Sequence, residues 1–435
     1  MKKPPTGRQH ALALLKRFGS SGRSNTVLAE ATHVTPFVTT LFYGVIERRI
    51  TLDTAVRRYS NVAFDKIDSD TLTLLRVGLY QLYYMREAEH AVVSETVDLS
   101  PHRAKGFVNA VLRSAVRDRE DFLAEINADV PPAATGDLSR SDISRLSVRY
   151  SFPQRLIRRW LAYLGRDTTL SVLYSAYNVS PLSVTLNPKY TYDELCASLK
   201  EDGLSDITRN AGDNYSFRAC GRKVTELASY KAAYFHVQDV SSYECAMTVV
   251  DLLRDVSGKT VYDICSPPGG KAFTMAERGA RVMACATTAR LAETVLAGAS
   301  RLGLCENGAG GVTVEINDGR VLNERYVAAP ADVVLVDAPC SGFGTFRSKP
   351  EVKYKTDAEI AHLPQLQLDI LETSAAYVKA GGRLVYSTCT LARAENEGVC
   401  EAFLSRNAGF VLAESRVVAP VGRDGFFTAV FARNG

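Results

Sequence analysis

From about Val237 onward the sequence alternates short apolar runs with helical stretches. That alternation restricts this part of the chain to a mostly parallel sheet covered by helices. The runs of strand character are Thr260 to Ile264, Arg281 to Ala286, Val312 to Ile316, Asp332 to Val336 and Arg383 to Tyr386. Stretches such as Arg290 to Leu302 and Ala358 to Val378 read as helices between them. Sheets of this kind bind ligands outside the carboxyl ends of their strands, so the loops there carry the chemistry.

The sheet accounts for less than half of 435 residues, and a chain this long is expected to form two or three domains. Residues 8–125 read as all helical. Leu72, Leu75, Leu79 and Leu82 fall at helical spacing with Asp70 placed to cap them, and Phe107, Val108, Val111 and Leu112 repeat the pattern. Thr35-Pro36 marks the start of a helix over Phe37 to Arg49. Asp129 to Asp142, rich in Pro, Ala, Gly and Ser, has the composition of a connection. Residues 143–235 mix both periodicities, with a strand at Leu182 to Leu186 and a helix at Tyr192 to Glu201, which suggests a small α+β subdomain.

Charge is unevenly spread. Residues 1–160 hold 24 Lys and Arg against 17 Asp and Glu, whereas the remainder holds 28 against 31. A basic amino-terminal part permits contact with a polyanion, although a merely solvated basic surface fits the charge equally well. At 46% hydrophobic and 23% charged residues, the composition is that of a folded globular chain. The first residues, Met1-Lys-Lys-Pro-Pro, are basic with no apolar stretch behind them, and no apolar run is long enough for a bilayer. Nine cysteines lie between residues 196 and 400 without a CxxC pair or a Cys/His cluster. A cytoplasmic location with reduced thiols, no metal and no membrane is therefore expected.

Three loops at strand ends stand out. Asp263-Ile-Cys-Ser-Pro-Pro-Gly-Gly-Lys271 follows the first strand, and its glycines allow backbone to approach a ligand closely. It has neither the GxGxxG pattern of nicotinamide sites nor the GK[ST] ending of a phosphate loop, and its position favours a nucleoside cofactor. Asp337-Ala-Pro-Cys-Ser-Gly-Phe-Gly344 and Ser387-Thr-Cys-Thr390 end two further strands. A lone cysteine near a strand end is usually core. Two of them converging with Asp337 and Lys271 on one crevice suit a demanding reaction. Cytosine C5 is a poor nucleophile until a thiolate adds at C6 and makes C5 enamine-like, ready to accept a methyl group from a sulfonium donor. Asp337 is placed to hydrogen-bond the ring at N3 and favour that addition.

These loops resemble motifs I, IV and VI of the RNA cytosine-C5 methyltransferases of the Sun/Fmu type. The resemblance implies that Cys389 is the nucleophile, that Cys340 assists product release, and that Lys271 lies near cofactor and base. It makes S-adenosylmethionine the cofactor, held by Cys265, Ser266, Pro267, Pro268, Gly269, Gly270, Lys271 and Asp337, with Asp318 of Asn317-Asp318-Gly-Arg320 facing the adenine. Arg347 to Tyr354, Gln365-Leu-Gln367 and Glu395-Asn-Glu397 also fit. Phe42 to Ile46, Val77 to Leu82 and Lys105 to Arg113 resemble the NusB-like RNA-binding bundle of one, RsmB-type, branch, and Val237-Gln-Asp239 matches the entry to the catalytic domain. The implied architecture is an all-α NusB-like helical bundle (1–130), a small α+β connecting subdomain (143–235) and an α/β Rossmann-like class I methyltransferase domain (236–435). Small-subunit (16S) ribosomal RNA is the implied substrate; the sequence does not give the oligomeric state, for which a monomer is the favoured reading.

One position departs from the pattern. Cofactor folds of this kind carry an acid about 20 residues beyond the first loop, to accept hydrogen bonds from ribose hydroxyls. The corresponding strand end reads Met283-Ala-Cys-Ala-Thr-Thr288, with no acid before Glu293. The competing expectation is thus a cofactor-deficient RNA-binding or assembly factor on the same scaffold. An exocyclic-amine methyltransferase is disfavoured, because Cys follows Asp-Ala-Pro where such enzymes carry Pro and an aromatic residue.

Overall fold

A computed structural model describes residues 6–128, 138–177, 181–218, 222–305 and 310–435. It divides into two compact units: Met1–Ala176 together with Phe346–Tyr354, and Tyr177–Thr345 together with Lys355–Gly435.

The first unit is helical throughout its described residues. The helix Pro36–Glu47 begins as its sequence dictates, with Thr35 accepting the Val38 N–H and Pro36 in the first turn. The helix Ser69–Tyr84 is capped by Asp68, which accepts the Thr71 N–H; Asp70 lies inside the first turn instead of capping it. Phe42, Leu52, Leu75, Leu79, Val108, Leu112 and Phe122 meet in one core. Most of the Asp129–Asp142 connection lies outside the described residues. Its end is the start of a helix, Arg140–Tyr150, closed by a reciprocal Ser139–Asp142 capping box.

Two expected boundaries move. Residues 140–175 form three helices, Arg140–Tyr150, Gln154–Leu164 and Arg166–Ser175, that belong to the helical unit and not to an α+β subdomain. The reason is visible in Gln154–Leu164, where Leu156, Ile157 and Trp160 are all buried on one face. The second shift is the segment Phe346–Tyr354, which follows a catalytic loop in sequence yet folds with the helices. Phe346 packs on Phe152 and Trp160, Lys353 donates to the Glu47 carbonyl at 2.8 Å, and the Arg49 guanidinium lies 3.9 Å from the centre of the Tyr354 ring.

The second unit holds two sheets. Strands β1 (Leu182–Leu186), β2 (Thr208–Ala211), β3 (Asn214–Phe217) and β4 (Phe235–Val237) form an antiparallel sheet in the order β2-β3-β1-β4. Strands β5 (Thr260–Asp263), β6 (Arg281–Ala286), β7 (Gly311–Ile316), β8 (Ala331–Asp337), β9 (Val378–Thr388), β10 (Phe410–Val418) and β11 (Phe426–Arg433) form the larger one. Its order is β10-β11-β9-β8-β5-β6-β7, parallel from β9 to β7, with β10 and β11 antiparallel at one end. This is the expected Rossmann-like arrangement. The chain moves from β5 outward through β6 and β7, then crosses to β8 on the other side. The topological switch point therefore lies between β5 and β8, where such sheets open a crevice for ligands. The expected helix over Ala358 to Val378 is broken into Asp357–Ile360 and Leu363–Ala375, with Pro364 in the first turn of the second. No helix among the described residues is long and apolar enough to cross a membrane.

Candidate active site

The three loops read from the sequence leave the carboxyl ends of β5, β8 and β9. In β8 and β9, Asp337 lies opposite Ser387, so the residues that follow are brought side by side. Cys340 and Cys389 are the result: their Sγ atoms are 3.3 Å apart. The hydrogen bond to Cys389, then burial, pushes the Cys340 thiol well above its ordinary value, with Glu395 and Asp337 adding to the effect. Two thiols this close cannot both ionise easily, so the pair holds at most one negative charge.

Lys271 and Asp337 form the second constellation. The ammonium donates to Asp337 Oδ2 at 2.6 Å, and Ser387 Oγ donates to Oδ1 at 2.9 Å. Burial draws the ammonium down, but Asp337 outweighs it and the net shift is upward. Lys271 is thus a fixed cation in a buried position, as an ion-paired lysine should be.

The β5 loop is shaped for close approach. Gly269 has φ +107°, and a Cβ there would meet the Phe273 ring at 2.4 Å, so only glycine fits. It precedes the helix Gly270–Glu277, whose first turn includes Lys271. Ser266 N–H and Gly269 N–H are tied to the carbonyls of Cys285 and Ser266, which fixes the loop over β6; the Pro267–Pro268 bond is cis. Cys265 packs against the sheet's hydrophobic cluster, so its side chain is part of the support.

Asp263, the last residue of β5, received no role from the sequence. It is almost wholly buried, with the Ser266 hydroxyl and the Lys271 ammonium as its nearest polar neighbours. Burial raises its carboxyl to about 7. An acid closing the strand before a glycine loop was the available signal. A buried acid at the foot of such a loop suits a ligand that brings donors or positive charge.

At the β7 end, Asp318 is held by Arg320, which donates to Oδ1 at 3.0 Å and to Oδ2 at 2.6 Å; this bonding lowers the carboxyl's pKa. At the β6 end, Ala286 is buried, and Thr288 Oγ is committed to capping the next helix through Leu291 N–H. No group of His, Cys, Asp and Glu side chains that could hold a metal is found among the described residues.

A switch-point crevice with a glycine loop, a buried acid beneath it and an acid on the β7 loop defines the class: a Rossmann-like methyltransferase with S-adenosylmethionine as cofactor. Comparison with known proteins places the chain within that class. The 16S rRNA methyltransferase RsmB/F family matches residues 250–429, and the NusB family matches residues 8–117. A Bacillus subtilis protein named "Probable ribosomal RNA small subunit methyltransferase B" is 31% identical over 89% of this chain and 85% of its own length. The Escherichia coli O1:K1 / APEC ribosomal RNA small subunit methyltransferase B is 28% identical over 89% and 88%. Among solved structures, PH0851 superposes with a TM-score of 0.75 at 21% identity, covering 99% of both chains. NSun6 from Pyrococcus horikoshii, solved with SFG, superposes with a TM-score of 0.55 at 18% identity, over 65% of this chain and 99% of its own. The chain belongs to the RsmB/F family of 16S rRNA methyltransferases.

The cofactor fits the residues present. The buried Asp263 carboxyl and Ser266 hydroxyl would match the donors and positive charge of S-adenosylmethionine. Asp318 supplies an acceptor at the β7 end. What the crevice lacks is an acid at Ala286 for the ribose. Substituting Ala286→Asp is accordingly expected to tighten S-adenosylmethionine binding by roughly 10- to 100-fold, the equivalent of about 1–3 kcal/mol for a charged hydrogen bond. Isothermal titration of the variant checks this, and an unchanged or weaker affinity would show that the ribose is held elsewhere.

Proposed function

We propose that the protein methylates cytosine at C5 in small-subunit ribosomal RNA through a covalent bond between Cys389 and C6. The observation that carries this reading is the pair of thiols 3.3 Å apart at the ends of adjacent parallel strands. A methyltransferase acting on an exocyclic amine has no use for two facing thiols. A C5 enzyme needs one to open the ring and one to help close it.

The residues divide the work as follows. Cys389, as thiolate, adds to C6, and the electron pair displaced from the C5–C6 bond makes C5 nucleophilic. At N3 the hydrogen comes from the Lys271 ammonium, which Asp337 holds in place. S-adenosylmethionine supplies an electrophilic methyl group. Cys340 then takes the proton from C5, and the returning electron pair expels Cys389. Because C6 is inaccessible in a stacked helix, the target cytosine must be turned out of its RNA structure first.

Bisulfite sequencing of ribosomal RNA from cells with and without the gene tests the proposal. The expected result is one or more cytosines protected only when the gene is present. Equal conversion throughout, combined with no measurable affinity for S-adenosylmethionine, would favour the RNA-binding scaffold suggested by Ala286; micromolar cofactor binding removes that alternative.

A further inference from the structure

We propose that Glu395, acting with Gln367, is a positioning residue that sets the distance between the two active-site thiols. The inference rests on the C5 reading for its consequences in catalysis, but not for its geometry.

Cys340 is held from both sides by one buried carboxylate and the amide it binds. On one side, Ser341 N–H donates to Glu395 Oε2 at 2.8 Å. On the other, Gln367 Nε2 donates to the Pro339 carbonyl at 2.9 Å and to the same Glu395 Oε2 at 3.0 Å. Glu395 is 2% exposed and Gln367 fully buried. Few surroundings justify a carboxylate at that depth, since its desolvation must be offset by the groups it fixes.

The next residue holds the other thiol loop. Asn396 Oδ1 accepts from Thr388 Oγ at 2.7 Å, and Asn396 Nδ2 donates to the Thr390 carbonyl at 3.1 Å; these residues flank Cys389. Tyr386 OH donates to the Glu395 carbonyl at 2.6 Å and ties the turn to β9. A hydrogen bond of 2.6 Å between Ser341 Oγ and Thr390 Oγ closes the arrangement. Adjacent residues of a single turn therefore grip the neighbours of each cysteine. The strand register brings the two loops side by side, and this turn sets how far apart the sulfurs stand.

The expected signature is in thiol chemistry as well as in turnover. Diamide removes one hydrogen from each of two thiols and joins the sulfurs, being itself reduced to the hydrazine. Parent protein treated with diamide, then alkylated and mapped by mass spectrometry, should show rapid formation of a Cys340–Cys389 link. Glu395→Ala should slow that link by about tenfold or more, since misplacement of about 1 Å costs reactions of this kind up to 100-fold. Gln367→Ala should slow it less, and Glu395→Gln, which retains an acceptor for Ser341 N–H, should stay near the parent. Loss of the Glu395 charge makes the thiols easier to ionise and would by itself speed the oxidation, so slowing cannot be an electrostatic effect. Affinity for S-adenosylmethionine should be unchanged in all three variants.

Linking as fast in Glu395→Ala and Gln367→Ala as in the parent would overturn the proposal, whether or not the protein methylates RNA. If Glu395→Ala does not fold, Gln367→Ala decides. Absence of methyl transfer by the parent would count against the C5 reading alone. In an active preparation, Glu395→Ala should in addition accumulate a protein–RNA adduct that survives denaturation, because Cys340 no longer reaches the base. Loss of turnover without any adduct and without rescue in Glu395→Gln would mark the residue as merely structural.

Discussion

Replacement of Cys389 by alanine is expected to lower methyl transfer by about 10⁴-fold or more, the scale on which covalent catalysis fails when its nucleophile is removed. The reason lies in the ring. Without a bond at C6, C5 stays part of an aromatic system and has no electron pair to offer, so the remaining machinery has nothing to assist. Cofactor affinity should stay within about twofold of the parent, since the loss lies in the chemical step and not in uniform binding. Cys389→Ser should not rescue, because a hydroxyl ionises far less readily than a thiol and attacks poorly as a neutral group. Single-turnover transfer of labelled methyl to RNA, measured beside cofactor titration, reads both quantities. Retention of full turnover by Cys389→Ala would show that the nucleophile is misassigned. A loss of only about tenfold would point instead to Cys340, whose sulfur lies 3.3 Å away, as the attacking group.

The parts of the molecule that could be read from sequence are those written in local pattern. The five parallel strands are legible because a strand covered on both faces is a continuous apolar run, as in Val333 to Val336, and because three of them, β5, β8 and β9, end in loops rich in Gly, Pro, Ser or Cys. The closing antiparallel pair, β10 and β11, was not anticipated. Residues 411–416 of β10 are all exposed and mix apolar with charged side chains, so no core-facing alternation marks them. The helix cap at Asp68 was missed in favour of Asp70 because two acids two residues apart give the same local signal. Tertiary partners decided the rest. Phe346–Tyr354 carries no mark that it folds with the helices instead of with the loop before it. Glu395 and Gln367 fitted a family pattern but had no role, since their meaning lies in a hydrogen bond between residues 28 positions apart.

Cys340→Ala is expected to leave addition to C6 intact and to block the step after it, so that protein and RNA remain joined through Cys389. In the resting site the pair holds at most one charge, and the proximity of Cys389 is the first reason that the Cys340 thiol is pushed up. Keeping Cys340 protonated favours the charge on Cys389, which is the form that attacks. Once Cys389 has become a thioether in the adduct it no longer carries that charge. The main cause of the Cys340 shift disappears, and Cys340 can ionise at the stage when a base is wanted at C5. Burial, and after it Glu395 and Asp337, still hold its pKa above the ordinary range, which keeps its thiolate strongly basic. Two results follow. The alanine variant should show turnover reduced by roughly 10²–10⁴-fold, the usual contribution of a positioned base, together with a band of linked protein and RNA on a denaturing gel. In the parent, adduct release should accelerate with pH by about tenfold per unit from pH 6 to 8, because the thiolate fraction of a group titrating above that range rises in that proportion. A Cys340→Ala protein that turns over at the parent rate, or that loses activity without forming the adduct, would remove Cys340 from the release step.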